Sequence, residues 1–433
     1  MSGFPVLTAN LFNVQSGTGN DAAAVTAAYN AALAAGGGVV SLPDQNLVIN
    51  TAAGIVWGSG LVQLRGLGSS SVLIAGPLCT TAVLTIAVGA SGGGLFEDFV
   101  VDANAIAANA IVQSIVTETS VGTRFVRVQA RNATSFQWVN NKCEDCTYLD
   151  CFTPGNESIP LTVKRSMQFN IPSGMCRVLG GELYGRHDLN CQQMTYDGTV
   201  FGPVTMNGSA ASLLSLQGCY VYDGGIDNNI CVDTAGNLFN LEADGTVFIA
   251  NVGVSFTNGN IAAGVTLSYR NCQWVQGTAT GVTINLVHAS GSGSVVVDGG
   301  TVTVNNAVTV NAFFNVGGAT TFVQVPNVVT GVTASPAHPQ LLNIGTLKTI
   351  NSTIDDGSGD LIAGGYVQAG GAGVKMTNSG ALQFLTTGGG SLWGDSGAPA
   401  AGLGSNGDYY LRSDGGVTSH IYFKATGSWA GII

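Results

Sequence analysis

Charge is what this sequence has least of. Only 9% of its 433 residues are Asp, Glu, Lys or Arg, and 14 basic residues face 25 acidic ones, for a formal net charge of -11. The basic residues form no cluster, which argues against duplex nucleic acid or an anionic membrane surface as the main partner, since dense Lys and Arg hold both. No unbroken apolar run reaches bilayer-spanning length, and Met1 to Thr8 carry no basic residue ahead of their short apolar stretch. Membrane insertion and a cleaved signal peptide are therefore not expected. Disorder is excluded from the other side, because 45% hydrophobic content with so little charge is the reverse of a disordered composition.

The nine cysteines are an odd number and cannot all pair within the chain. Cys143, Cys146 and Cys151 lie close together, but no second Cys-x-x-Cys pair and no nearby histidine completes a zinc site. We expect free thiols facing inward from stacked strands, as suits assembly in a reducing cytoplasm. No cofactor or metal is implied: Gly36 to Gly38 do not lead into a phosphate-binding helix, and His338 and His420 have no companion ligands.

Glycine, with 63 residues, and short apolar runs are what the sequence has in quantity. Asn20 to Ala35 reads as a helix, with Ala22, Val25, Ala28, Ala32 and Ala35 on one face and Gly36, Gly37 and Gly38 ending it. A strand through Val39 to Leu42 then stops at Pro43. From Trp57 to Val329 short runs such as Leu61 to Leu64, Val83 to Val88, Phe125 to Val128, Ser212 to Leu216 and Val265 to Tyr269 recur without a second convincing helix. Missing crossover helices exclude a βαβ sheet, and the pattern lacks the regular alternation of a β-sandwich. It predicts an all-β chain built on a right-handed single-stranded parallel β-helix, with an N-terminal capping helix and a β-rich C-terminal trimerisation region. At roughly 23 residues per coil this makes about 12 coils. The expected divisions are 1–56 (opening segment), 57–329 (β-helix), 330–400 (glycine-rich connector) and 401–433 (oligomerisation module).

The segment Gly19, Asn20, Asp21, then the alanine-rich helix, the three glycines, the strand and Pro43 resembles the opening motif of pectate-lyase-like β-helix proteins, the group that includes bacteriophage tailspikes. The end, from Gly407, Asp408, Tyr409, Tyr410, Leu411 and Arg412 to Ile421, Tyr422, Phe423, Lys424 and Trp429, resembles terminal modules of phage tail and fibre proteins. The resemblance implies a homotrimeric tailspike or tail fibre, made in the host cytoplasm and displayed on the virion surface through an adaptor or baseplate protein. Its partner would be a host surface polysaccharide, bound and, where the protein is a depolymerase, cleaved by hydrolase or lyase chemistry. A purely adhesive or structural fibre and a secreted bacterial polysaccharide-degrading enzyme are the alternatives. The family's Gly-His-Gly and Arg-x-Lys patterns are absent here, so no catalytic residue is carried over from it.

Glycoside hydrolysis needs two carboxyls flanking the scissile bond. Residues 182 to 227 are richest in them, and Glu182, Asp188, Asp197, Asp223 and Asp227 are the candidate catalytic residues. Asp197 and Asp223, 26 apart, would face one another on adjacent coils of matching length. Tyr184, Arg186, His187, Tyr196, Tyr220 and Tyr222 are the candidate glycan-binding residues, as flat faces and hydrogen-bonding groups. The bland reading of the same stretch assigns Asp223 and Asp227 to Asx turns beside Gly224 and Gly225, and His187 to a loop hydrogen bond. Arg124, Arg127 and Arg131 could instead meet an anionic glycan, with two projecting from strands and one sitting in a turn.

Overall fold

The computed structural model describes residues 11–15, 19–87, 93–113, 120–154, 165–170, 173–206, 212–222, 230–233, 239–250, 255–261, 265–276, 283–291, 294–303, 309–324, 329–330, 340–350, 374–376, 382–384, 391–395, 397–412 and 421–432. The chain divides into two compact units, a large one formed mainly by residues 1–337 and a small one formed mainly by 360–433.

In the large unit the strands stack as a right-handed parallel β-solenoid, behind a single helix. Each coil contributes one strand to each of three parallel ladders. The first coil has Gly38–Ser41, Asn46–Ile49 and Ile55–Trp57, and the next has Val62–Arg65, Val72–Ala75 and Ala82–Ile86. Coiling thus starts at Gly38, inside the stretch expected to be the opening segment. The long strand Thr309–Gln324 runs through both the third and the first ladder and links them. Facing antiparallel sheets, the competing reading of the sequence, are not what forms here.

Parallel pairing places residues of successive coils directly above one another at about 4.8 Å. Strand alternation then sends every second row inward. In the first ladder the inward row runs Val40, Leu64, Phe96, Phe125, Tyr148, Val178, Tyr196, Leu216, Ala243, Tyr269 and Val297, each at most 2% exposed. Like meets like along it: Phe96 stacks on Phe125 at 5.3 Å and Phe125 on Tyr148 at 5.2 Å between centroids. The row also shows that coils are unequal. Val178 and Tyr196 are 18 residues apart, whereas Leu64 and Phe96 are 32 apart. A fixed repeat of about 23 does not describe them.

A single left-handed residue turns the chain from the first ladder to the second. Asp98, Arg127, Asp150, Gly180, Gly198, Gly218, Gly245, Asn271 and Gly299 occupy that place with φ between 49° and 68°. Glycine, asparagine and aspartate tolerate this conformation best, which accounts for most of the choices. The following residue points inward, and Cys151, Thr199, Cys219, Thr246 and Cys272 stack there fully buried. Their thiols and hydroxyls donate to nearby carbonyls, such as Cys219 to Gln217 O at 3.3 Å and Thr246 to Asp244 O at 3.3 Å. All nine cysteines are free and buried, as expected from the sequence. Among the described residues no group of side chains is arranged to hold a metal ion.

The helix Ala22–Ala34 closes the open end of the stack. Its buried face is Ala22, Val25, Ala28, Tyr29 and Ala32, and Tyr29 packs on Trp57 at 4.7 Å. The Asn-Asp pair before it serves both the helix start, where Asn20 Oδ1 accepts from Ala22 N at 3.3 Å, and the exposed strand edge. Asp21 Oδ2 accepts from Val48 N at 2.8 Å, Asp21 N donates to Val48 O at 2.6 Å, and Asn20 Oδ1 accepts from Asn50 N at 3.1 Å. The edge of the second ladder is thereby paired, while the strand Leu11–Asn13 covers the first.

The small unit holds six described strands, with Ser391–Asp395, Tyr409–Arg412, Ile421–Ala425 and Ser428–Gly431 consecutive in one sheet. The buried Lys424 is its anchor: Nζ donates to the carbonyls of Ala401, Leu403 and Gly404 at 2.9, 2.5 and 3.0 Å and lies over the Trp429 ring. Asp408 accepts from Trp393 Nε1 at 2.9 Å and Ser405 N at 2.8 Å. Tyr409, Leu411 and Ile432 remain exposed.

Removing the Asp21 carboxylate leaves the Val48 amide without its acceptor at the end of the stack. Asp21→Ala is expected to cost about 1–3 kcal/mol in denaturant unfolding, and Asp21→Asn, which keeps an acceptor oxygen, to recover most of it.

Candidate functional site

The neighbourhood singled out in the sequence is distributed over three ladders. In the strand Arg186–Leu189 of the third ladder, His187 falls in the inward row between Met167 and Val204. Its ring is fully buried, with Nε2 3.0 Å from the Leu183 carbonyl and Nδ1 2.9 Å from the Tyr196 hydroxyl. A carbonyl can only accept, so Nε2 carries the proton and Nδ1 accepts from the phenol. Burial pulls the histidine down to about 4, against the opposing effect of the Leu183 bond, and burial raises the Tyr196 phenol well above its usual range. His187 and Tyr196 are a neutral, satisfied interior pair. Neither presents a face to a glycan, and strand alternation is the reason.

The same alternation puts Arg186 and Asp188 on the other side of that strand. Arg186 Nε donates to Asp188 Oδ1 at 2.6 Å, with the carboxylate side chain 9% exposed. The row through Asp188 continues across the coils as Gln168, Asp188, Thr205, Asp233, Asn258, His288 and Asn315. Every member is polar, whereas the adjacent inward row of the same strands is largely apolar. Asp188 and Asp233 occupy positions two rungs apart with Thr205 between them. Their 45-residue sequence separation hides this, because the two intervening steps are of 17 and 28 residues.

Glu182, Tyr220 and Tyr222 share the outward side of the second ladder, with Val200 between Glu182 and Tyr220. Tyr184 follows Glu182 on the same side. Burial, the Glu182 carboxylate and Tyr222 all raise the Tyr184 phenol, in that order. Glu182 and Asp188, considered together in the sequence, therefore belong to different ladders. Asp197 is exposed at the end of the first ladder, and its register partner is Gln217, then Asp244. It does not align with residue 223, because that coil is 20 residues long rather than 26. Asp223 and Asp227 lie outside the described residues. The outward row runs Asp197, Gln217, Asp244, Arg270 and Asp298, and its middle members Gln217, Asp244 and Arg270, with Glu242 beside them, line a depression of about 140 Å³.

The arginine triplet is placed as anticipated: Arg124 and Arg131 are in strands and Arg127 is in the turn at φ 50°. Two of the three are committed to the preceding coil. Arg127 holds Asp98 through two bonds of 2.6 and 2.8 Å, and Arg131 holds Asp102 at 2.8 Å. The Arg127 bonds keep the Asp98 carboxyl below its ordinary range. Asp102 also accepts from Asn132 and Asn104 N, so it is a structural carboxylate.

No family model and no curated protein matches the chain. Solved structures do. The mannuronan C-5 epimerase AlgE6 A-module of Azotobacter vinelandii aligns with a TM-score of 0.55 at 15% identity, over 79% of this chain and 99% of that one. The enzymatically active domain of bacteriophage CBA120 tailspike protein 2 aligns with a TM-score of 0.44 at 11% identity, over 87% of this chain and 60% of that one. ORF18 of Geobacillus virus E2 aligns at 0.35 and 12%, over 98% and 86%. At these identities the likeness is one of fold, carried by the first.

The depressed His187 sets a pH dependence. Unfolded, the ring regains an ordinary pKa near 6.5; folded, it stays neutral down to about 4. The unfolded chain binds the extra proton between those values, so stability is intact above about 6.5 and is lost progressively as pH falls to 4, by about 3 kcal/mol in full. Melting temperatures measured from pH 7 to 4.5 should fall for the parent chain and fall less for His187→Met, a substitution matched to the Met167 above it.

Proposed function

We propose that the chain is a polysaccharide-binding subunit of a phage tailspike or tail fibre, and that it hydrolyses the glycan it binds. The observation that carries the catalytic part is the single row holding Asp188, Thr205 and Asp233 on consecutive rungs. Two rungs are about 9.6 Å. That is a backbone separation from which two side chains can bring their carboxyls to the roughly 6.5–9.5 Å that inverting glycosidases leave between them to admit a water. One carboxyl would protonate the leaving oxygen while the other directs the water to the opposite face of the sugar. Arg186 fixes Asp188, and Thr205, on the rung between the two aspartate positions, offers a hydroxyl to the substrate.

The virion part of the reading rests on the opening motif around Asn20 and Asp21 and on the terminal module with Tyr409, Leu411 and Lys424. The exposed Tyr409, Leu411 and Ile432 are apolar surface that sister chains of a homotrimer would cover. Attachment would then pass through an adaptor or baseplate protein. A non-enzymatic adhesive fibre is the second reading, favoured by one specific observation: the ion-paired Asp188 is largely covered.

Release of reducing ends from capsular or lipopolysaccharide glycans of the host separates the two. Asp188→Asn and Asp233→Asn should each abolish release, by about 100-fold or more, with glycan binding retained. Release undiminished in both variants would remove this pair from the chemistry, and binding without any release by the parent chain would establish the adhesive reading. Sedimentation equilibrium is expected to give three times the chain mass, and a monodisperse monomer would contradict the trimer.

A further inference from the structure

The first ladder carries, on its outward side, polar groups that neither the interior nor the proposed chemistry uses. Leu216, Ala243 and Tyr269 point inward on three successive rungs, so the residues flanking each of them point out. Ser215, Glu242 and Ser268 form one outward row, and Gln217, Asp244 and Arg270 form the other. The rows are about 6.6 Å apart along the strand, and the outer two of the three rungs are about 9.6 Å apart. These six residues line the depression of about 140 Å³. A cavity of about 150 Å³ takes one six-membered ring.

Two observations show that the groups are not taken up by the fold. Ser215 is only 8% exposed, and among the described residues its hydroxyl has no hydrogen-bond partner, although it lines the depression. A buried hydroxyl ordinarily finds one, so this one has a donor and an acceptor to offer a ligand. Arg270 stands in register between Asp244 and Asp298, yet among the described residues it enters no ion pair, unlike Arg65, Arg127, Arg131 and Arg186. Glu242 and Asp244 likewise have no cationic partner among the described residues.

The ligand follows from what each rung offers. Glu242 and Asp244 on the middle rung only accept, Arg270 on the next only donates, and Ser215 and Gln217 on the rung before do both. An ammonium group only donates and would meet the like charge of Arg270. A carboxylate only accepts and would meet Glu242 and Asp244. Hydroxyl groups donate to the two carboxylates and accept from the guanidinium at once. No aromatic side chain lines the depression, so the ligand is held at its edge by hydrogen bonds and not by stacking on its face.

We propose that the depression is a binding subsite for one uncharged, hydroxyl-rich sugar residue of a polysaccharide, held edge-on by Glu242, Asp244, Arg270 and the Ser215 hydroxyl. The inference rests on the proposed function in that the ligand is a glycan, and is independent of whether that glycan is cut. The test is titration of the full chain with cellohexaose, maltohexaose, mannohexaose and galactohexaose, with a chitosan hexamer and with hexagalacturonate, read by calorimetry and saturation-transfer NMR. At least one uncharged hexamer should bind, and more tightly than either charged one. Glu242→Ala and Arg270→Ala should each weaken that binding by about tenfold or more, the loss expected of a hydrogen bond to a charged group. Ser268→Phe, which fills the depression, should abolish it. Glu242 and Arg270 are exposed, so unchanged melting temperatures verify the fold of their variants.

Tighter binding of the chitosan hexamer or of hexagalacturonate, failure of every uncharged hexamer to bind, or undiminished affinity in both Glu242→Ala and Arg270→Ala would overturn the subsite. Those results, with Asp188→Asn and Asp233→Asn still blocking release of reducing ends, would leave the catalytic reading standing. Binding that depends on Glu242 and Arg270 in a chain that releases no reducing ends would leave the subsite standing without the catalysis.

Discussion

Parallel hydrogen bonding between successive coils is the constraint from which the rest follows. It fixes the vertical distance between coils at one strand spacing and stacks each residue on its register partner. Aromatic residues stack on one another along part of the inward row, as Phe96, Phe125 and Tyr148 show. A turn that needs a left-handed residue in one coil needs it in the next, hence the column from Asp98 to Gly299. The low charge of the chain has the same origin, since inward rows and turn columns fill a long interior in which an unpaired charge is costly. Several of the charges described near the start of the stack are paired across coils, as in Arg65 with Glu97 at 3.2 Å and Arg127 with Asp98 at 2.6 Å.

The outside of the stack is where this constraint becomes useful. Residues 17 to 30 apart in the chain become neighbours in a straight row whose spacing is set by the backbone, not by side-chain packing. The row of Asp188, Thr205 and Asp233 on the third ladder is one product of that geometry. It places polar groups at multiples of one rung along a straight row.

Much of the fold was legible in the sequence. The alanine face of the helix, its glycine stop, the strand before Pro43 and the apolar runs through the solenoid all mark real elements, because each is a local signal. Coil length was not legible, since it is set by the loops between ladders, and with it went the register. Two signals were available and unused. The tetrapeptide Asp-Gly-Thr-Val occurs at 197–200 and again at 244–247 and marks the same corner two coils apart. The alternation Leu183, Gly185, His187, Leu189 fixes the parity of that segment and places the histidine inside. Asp233 and His288 needed the register itself, so the sequence could not join them to Asp188.

The central claim is that rung geometry sets the spacing of the carboxylates and thereby the chemistry. The anomeric configuration of the first product of the proposed cleavage, followed by proton NMR, tests it most directly. Carboxylates two rungs apart predict an inverted anomer that only later mutarotates. A retained configuration would require carboxyls about 5–5.5 Å apart and would contradict the account.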